Sequence, residues 1–377
     1  MDGYNKRNVI VEKAKKSRVT AIGEWIDSGA FYDGEKKNGI HHFLEHILFN
    51  VPKISRKFNE LKRKGVMVNA FTSHEIMCFY AACIEENYEE TLEFINSFFS
   101  ERINLKEVIN FENEKKIVLS EIAYQNSKVE HLKNLLINQM FCETQNKFSI
   151  LGDKESIESI TIDDLQQLYD EIIYNNKHFT TIVSNNENIG EIYDKSYDAQ
   201  NVSKVEFKLN YNDVNMFKTD LYKEDDYCYY GLSIFFEKEF RKEGKIYSEF
   251  LKEKLLAEFR EKRGIVYRID MSSLNFYNGQ VVFYIMKVKG SMVTHINETM
   301  KKIFLDVDKD RIYDLKDVER KLNVKSCIKN DNRLSEMLDI GYGNTILRNE
   351  NEEYDFEKFI EYIKERGGKY YQRVIKV

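Results

Sequence analysis

Asn38-Gly39-Ile40-His41-His42-Phe43-Leu44-Glu45-His46-Ile47-Leu48-Phe49 is the stretch on which the reading of this chain turns. Gly39 precedes an apolar pattern of helical period over 40–49. On a helix, residues four apart share a face, so His42 and His46 present two imidazoles to one ion. His41 is rotated by one residue and points elsewhere. Glu45 lies beside His46 and one turn from His42, where it can sit next to an ion without ligating it. The order His-x-x-Glu-His reverses the commoner His-Glu-x-x-His. Neutral imidazoles suit Zn²⁺, and a catalytic zinc keeps three protein ligands and one water. Such a water ionises at a pKa of about 7, and a nearby carboxylate can take its proton and pass it to a leaving amine. A surface helix with clustered histidines would carry the same letters.

Working outward, Val19-Thr20-Ala21-Ile22-Gly23-Glu24-Trp25-Ile26 reads as a strand, as do 66–71, 77–84 and 180–184. Over 88–141 apolar residues recur at three and four, with Leu105, Val108, Phe111, Val118 and Ile122 in one stripe, which predicts two or three helices. Thr161 is placed to cap a helix starting at Ile162. The polar stretch 185–205 reads as a connection, giving an N-terminal domain over 1–195 and a C-terminal domain over 206–377. A faint repeat joins them: Lys64-Gly65-Val66 and Arg263-Gly264-Ile265 each precede a strand, and a second strand follows.

The 377 residues are 42% hydrophobic and 32% charged, which suits a folded core rather than disorder. A formal net charge of −6 with both signs interspersed argues against general nucleic-acid binding. No apolar run approaches the roughly 18 residues a membrane span needs, and the N-terminus lacks an apolar signal segment. The five cysteines form no CxxC pair, so a reducing cytoplasm is the expectation. Cys78, Cys83, Tyr229-Tyr230 and Phe235-Phe236 read as core. His74, His131, His178 and His295 are isolated.

A third ligand must come from elsewhere. Glu114 and Glu121 stand on one face of a predicted helix, although such glutamates are more often solvated. His42-Phe43-Leu44-Glu45-His46 in its setting resembles the signature of the M16 metallopeptidases, whose third zinc ligand is a Glu about 75 residues after the second His. Glu121 matches that Glu, and Glu114 the carboxylate that supports the site. Asn69-Ala70-Phe71-Thr72 is similar to the family's substrate-pairing strand, and Ile150-Leu151-Gly152-Asp153 to a segment late in its first domain. Arg260 and Tyr267 resemble an Arg/Tyr pair that helps bind substrate and stabilise the transition state. Alone, they would read as a helix-end Arg and a strand Tyr. Asn50-Val51-Pro52 departs from the family's lysine-glycine turn.

The resemblance implies an α+β fold of two similar domains, each a mostly antiparallel sheet packed on helices. It implies one Zn²⁺ per chain and a peptide substrate enclosed by a clamshell of two such chains. A homodimer, or a heterodimer with a related subunit, would supply the second. Glu45 would be the general base, with Glu114, Arg260 and Tyr267 assisting. Two other functions fit the same residues. One is a catalytically silent peptide-binding or structural subunit. The other is a peptidase that matures one ribosomal peptide product.

Overall fold

The computed structural model describes residues 9–13, 19–34, 36–125, 128–141, 149–175, 178–184, 209–210, 217–305, 312–329, 333–342, 354–366 and 370–376. The connection expected over 185–205 lies outside them. Contacts divide the chain into two units that are not continuous stretches of sequence. The first comprises Met1–Tyr124, Gln145–Val205 and Cys327–Asn349. The second comprises Gln125–Thr144, Glu206–Ser326 and Glu350–Val377.

The first unit holds a sheet ordered β1(Val9–Lys13), β5(His178–Ser184), β2(Val19–Ile26), β4(Met77–Ile84), β3(Met67–Thr72). β1 and β5 are parallel and every other neighbour is antiparallel. β2 and β4 are rich in β-branched, aromatic and small apolar residues and are buried on both faces, as a covered central strand requires. One face packs on helices α1(Ile40–Phe49), α2(Pro52–Arg63), α3(Tyr88–Asn96), α4(Phe111–Gln125) and α7(Ile162–Tyr174) around Ile22, Leu44, Ile47, Phe79 and Tyr169. Each fully buried aliphatic or aromatic side chain contributes about 1.5–3 kcal/mol by leaving water. The other face gathers Ala21, Trp25, Cys78, Phe179 and Val183 with Met337 of α11(Arg333–Tyr342), a helix from late in the chain. Trp25 stacks on Phe179 at 6.3 Å, meets the edge of Phe71 at 6.0 Å, and donates to Thr181 Oγ1 at 2.8 Å.

On the face that carries α1, a close crossing of two backbones sets where that helix starts. Gly39 (φ 85°) and Gly152 (φ 79°) cross back to back. A methyl on Gly152 would stand 2.6 Å from the Asn38 carbonyl carbon and 2.9 Å from Gly39 Cα. Only glycine takes this backbone region without strain and leaves room for the other chain. Nearby, Asp153 caps α6(Lys154–Ser159), and Thr161 caps α7 as expected, in a capping box completed by Asp164.

The second unit repeats the sheet: β6(Phe217–Thr219), β10(Tyr370–Lys376), β7(Tyr227–Glu237), β9(Gly279–Lys289), β8(Asp270–Phe276), with only β6–β10 parallel. Residues of α8(Arg241–Leu256), α9(Val293–Leu305) and α12(Phe356–Arg366) join its core around Tyr247, Phe250, Ile296 and Phe359. α5(Lys128–Met140), from the first half of the chain, lies against β10 and β7. Each copy of the faint repeat leads to an edge strand, through a left-handed Gly65 (φ 82°) or Gly264 (φ 62°). The fold is thus the expected α+β pair of similar domains. The helices predicted over 88–141 are α3, α4 and α5. Tyr230, Phe235 and Phe236 are core, as are Cys78 and Cys83.

Candidate metal centre

α1 lies against β3, and its apolar residues Phe43, Leu44, Ile47 and Leu48 are fully buried. The rotation this imposes leaves His42 and His46 facing α4. Phe43 stacks on Phe111 at 5.3 Å, which sets α4 beside α1. Lys115 holds α4 from the other side by donating to the carbonyls of Glu158 and Ile160.

Ligand atoms of His42, His46 and Glu121 then come within 4.8 Å of one another. Glu121 Oε2 lies 3.6 Å from His42 Nε2 and 3.5 Å from His46 Nε2. Ligands about 2 Å from a tetrahedral zinc stand about 3.3 Å apart, which the two glutamate–imidazole separations approach. Burial foremost, and the neighbouring His46 second, lower the His42 pKa to about 3, so the ring is neutral as a metal ligand must be. Glu114, buried two turns before Glu121, faces the far nitrogen of His46: Nδ1 to Oε2 is 3.4 Å. A carboxylate behind a ligating imidazole fixes its tautomer and raises its basicity.

Glu45 is held by β3. Its Oε2 accepts from Thr72 Oγ1 at 2.5 Å. Burial pushes its carboxyl up, against the Thr72 bond and the His46 charge, which pull it down. A carboxyl with a raised pKa is a better proton acceptor than an exposed one. The strand residues named from the sequence separate by face. Thr72 and Ala70 lie on the helix side. Phe71 packs on the opposite face against Trp25 and Tyr80. Asn69 is exposed, and its Oδ1 accepts from the Ala70 amide at 2.9 Å. β3 is the edge of its sheet and pairs only with β4 among the described strands.

Arg260 and Tyr267 belong to the second unit. Arg260 is exposed in a π-helical turn, Ala257–Lys262, and its guanidinium lies 5.7 Å from the ring centre of Tyr267, which is 83% exposed. Sequence reasoning missed what Thr72 does to Glu45. It also missed the partners of His41, which bonds Asp33 and Ser28. Only Gly39, which has no side chain with which to cap α1, signalled that a cap must arrive from elsewhere.

Residues 8–154 match the family model described as Insulinase (Peptidase family M16). The uncharacterized zinc protease YmxG of Bacillus subtilis is 32% identical over 168 residues, 43% of this chain and 40% of that protein. The mitochondrial-processing peptidase subunit beta of Dictyostelium discoideum is 31% identical over 159 residues, 41% of this chain and 33% of that subunit. The chain therefore spans well under two thirds of the curated relatives it matches. Among solved structures, a protease from Helicobacter pylori superposes with a TM-score of 0.80 at 15% identity, over 98% of this chain and 96% of that one. A peptidase M16 inactive domain from Pseudomonas fluorescens superposes at 0.71 and 13% identity, over 97% and 95%. These structures share the fold. The M16 resemblance read from the His42–His46 stretch is borne out by the family match. No described helix is long and apolar enough to cross a membrane.

Proposed function

We propose that the chain is a zinc-dependent endopeptidase acting on peptides or unstructured polypeptide segments. The observation that carries this reading is the convergence of His42, His46 and Glu121, from two distant stretches, with Glu45 alongside. His42 Nε2, His46 Nε2 and Glu121 Oε2 hold the metal, and Glu114 orients His46. Zinc bound there supplies a Lewis acid and a water that ionises at a pKa of about 7. Glu45 receives the proton of the attacking water and returns it to the leaving amine. Thr72 keeps that carboxylate aimed. Substrate adds as a strand to the free edge of β3, along Asn69 to Thr72, so its backbone supplies much of the affinity. Arg260 and Tyr267 assist substrate binding, as the family resemblance implies.

Metal content and cleavage of quenched peptides, measured on the same sample, test this. Wild type should carry one zinc and cleave. Glu45→Gln should keep the zinc and lose turnover. Full activity of that variant removes Glu45 as base. Zinc without turnover in wild type makes the chain a silent binding subunit. The relative named a subunit supports assembly with a second chain, and native mass decides between identical and related partners.

A further inference from the structure

The helix that carries both imidazoles and Glu45 starts without a cap of its own. Gly39 is its N-cap residue and makes no side-chain bond there. Exposed amides at a helix start need acceptors, and a carboxylate there is also favoured by the helix dipole. Asp33, fully buried, fills that place from outside the helix. Its Oδ2 accepts from the Gly39 amide at 2.6 Å, and its Oδ1 faces the His41 amide at 3.4 Å. The same Oδ1 accepts from His41 Nδ1 at 2.5 Å. His41 Nε2 then meets Ser28 Oγ at 2.8 Å. The geometry is that of a serine-histidine-aspartate relay, but all three residues are 3% exposed or less, so no substrate reaches the hydroxyl.

The relay is tied to the other end of the site. The loop that holds Ser28 and Asp33 donates from Ala30 N to the Ser73 carbonyl at 3.0 Å and from Phe31 N to the His74 carbonyl at 2.7 Å. Ser73 follows Thr72, the residue that holds Glu45. His41 and Glu45 are four apart and share a face of α1. One face of the helix is thus pinned at His41 by Asp33 and at Glu45 by Thr72, and the loop that carries Asp33 is bonded to the two residues that follow Thr72.

We propose that Asp33, acting through His41, is a positioning device. It fixes the start and rotation of α1 so that His42 and His46 converge with Glu121 while Glu45 stays on Thr72. This rests on the zinc reading above. The chain of action runs through hydrogen bonds of defined direction, so amide replacements separate it from mere filling of space. In His41→Asn the side-chain nitrogen replaces Nδ1 and keeps the bond to Asp33. In His41→Gln the amide reaches toward Ser28 and gives up Asp33.

The test uses the full chain. Zinc affinity is read by competition with a chromophoric chelator, and site geometry by the visible spectrum of the Co²⁺ form. H41Q and Asp33→Asn should weaken zinc binding about 10–100-fold, shift the Co²⁺ spectrum, and lower kcat more than they raise KM. H41N should stay close to wild type. Ser28→Ala removes a single hydroxyl and guards against loss of fold in the others; its loss should be smaller and in the same direction. Wild-type zinc affinity and an unchanged Co²⁺ spectrum in folded H41Q overturn the proposal. A wild type that binds no zinc overturns the zinc reading instead. Hydrogen exchange of metal-free protein then still decides the positioning claim. Asp33→Asn should speed exchange at the Gly39 and His41 amides, and unchanged rates there refute it.

Discussion

Replacing Gly152 by alanine should unseat the start of α1 although residue 152 touches none of the proposed ligands. Gly152 has φ 79°, a region that costs an ordinary residue about 1–2 kcal/mol. The added methyl would also stand 2.6 Å and 2.9 Å from backbone atoms of Asn38 and Gly39, where 3.4–4 Å is ordinary contact. Neither partner is a flexible side chain, so one backbone must move, at an overpacking cost of about 1–3 kcal/mol. The two terms give about 2–5 kcal/mol. Two other glycines of the same unit isolate them. Gly65 (φ 82°) has open space around its added methyl and pays only the first term. Gly34 has open space and no left-handed backbone, so its alanine variant should fall within about ±0.5 kcal/mol of wild type. The chain's one tryptophan, Trp25, is buried in this unit, so its fluorescence during urea unfolding reports the right half of the protein. The expected order of midpoints is Gly34→Ala, then Gly65→Ala, then Gly152→Ala lowest, with zinc affinity reduced only in the last. Equal midpoints for Gly65→Ala and Gly152→Ala would refute the argument that the crossing at Gly39 is tight.

Three further outcomes follow from single contacts. Glu114→Gln takes the carboxylate from behind His46 and should weaken zinc binding about 10–100-fold, with the unfolding midpoint of the metal-free protein nearly unchanged. Leu44→Ala on the fully buried side of α1 should cost about 2–5 kcal/mol in the Trp25 unfolding assay. Burial pushes the Asp164 carboxyl up, but bonds from Lys37 and Thr161 more than offset it and hold it below the usual range. The folded state therefore binds fewer protons there than the unfolded chain. Its stabilisation is full above about pH 4 and is lost as pH falls through the lowered value. Lys37→Met should flatten the fall in urea midpoint between neutral and acid pH, and an unchanged slope would dismiss that ion pair.

What the sequence revealed and concealed divides along physical lines. Strands β2, β4 and β5 were legible because β-branched and aromatic runs are bounded by polar turns. The bounds of α1 were legible because Gly39 and the apolar period agree. The pairing of His42 with His46 is a matter of helical pitch. The distance from His46 to Glu121 is not, and it came only through family resemblance. Local patterns also say nothing about which sheet a helix will cover. α5 and α11 have ordinary apolar stripes, yet each lies in the unit formed mainly by the other half of the chain. The bonds of Asp33 to His41 and of Thr72 to Glu45 were hidden for another reason. Each links a polar side chain of α1 to one on another element, and only the closed fold brings them within reach.

The cover that α11 gives to the first sheet limits how this polypeptide can be dissected. A fragment stopped after β5 would keep the histidines and both helix glutamates yet leave Trp25, Ile76, Phe179 and Val183 unroofed, a sticky surface that invites clumping. Residues 333–342 would have to be supplied separately, as a peptide or on a second fragment, before the metal-binding half could be studied alone.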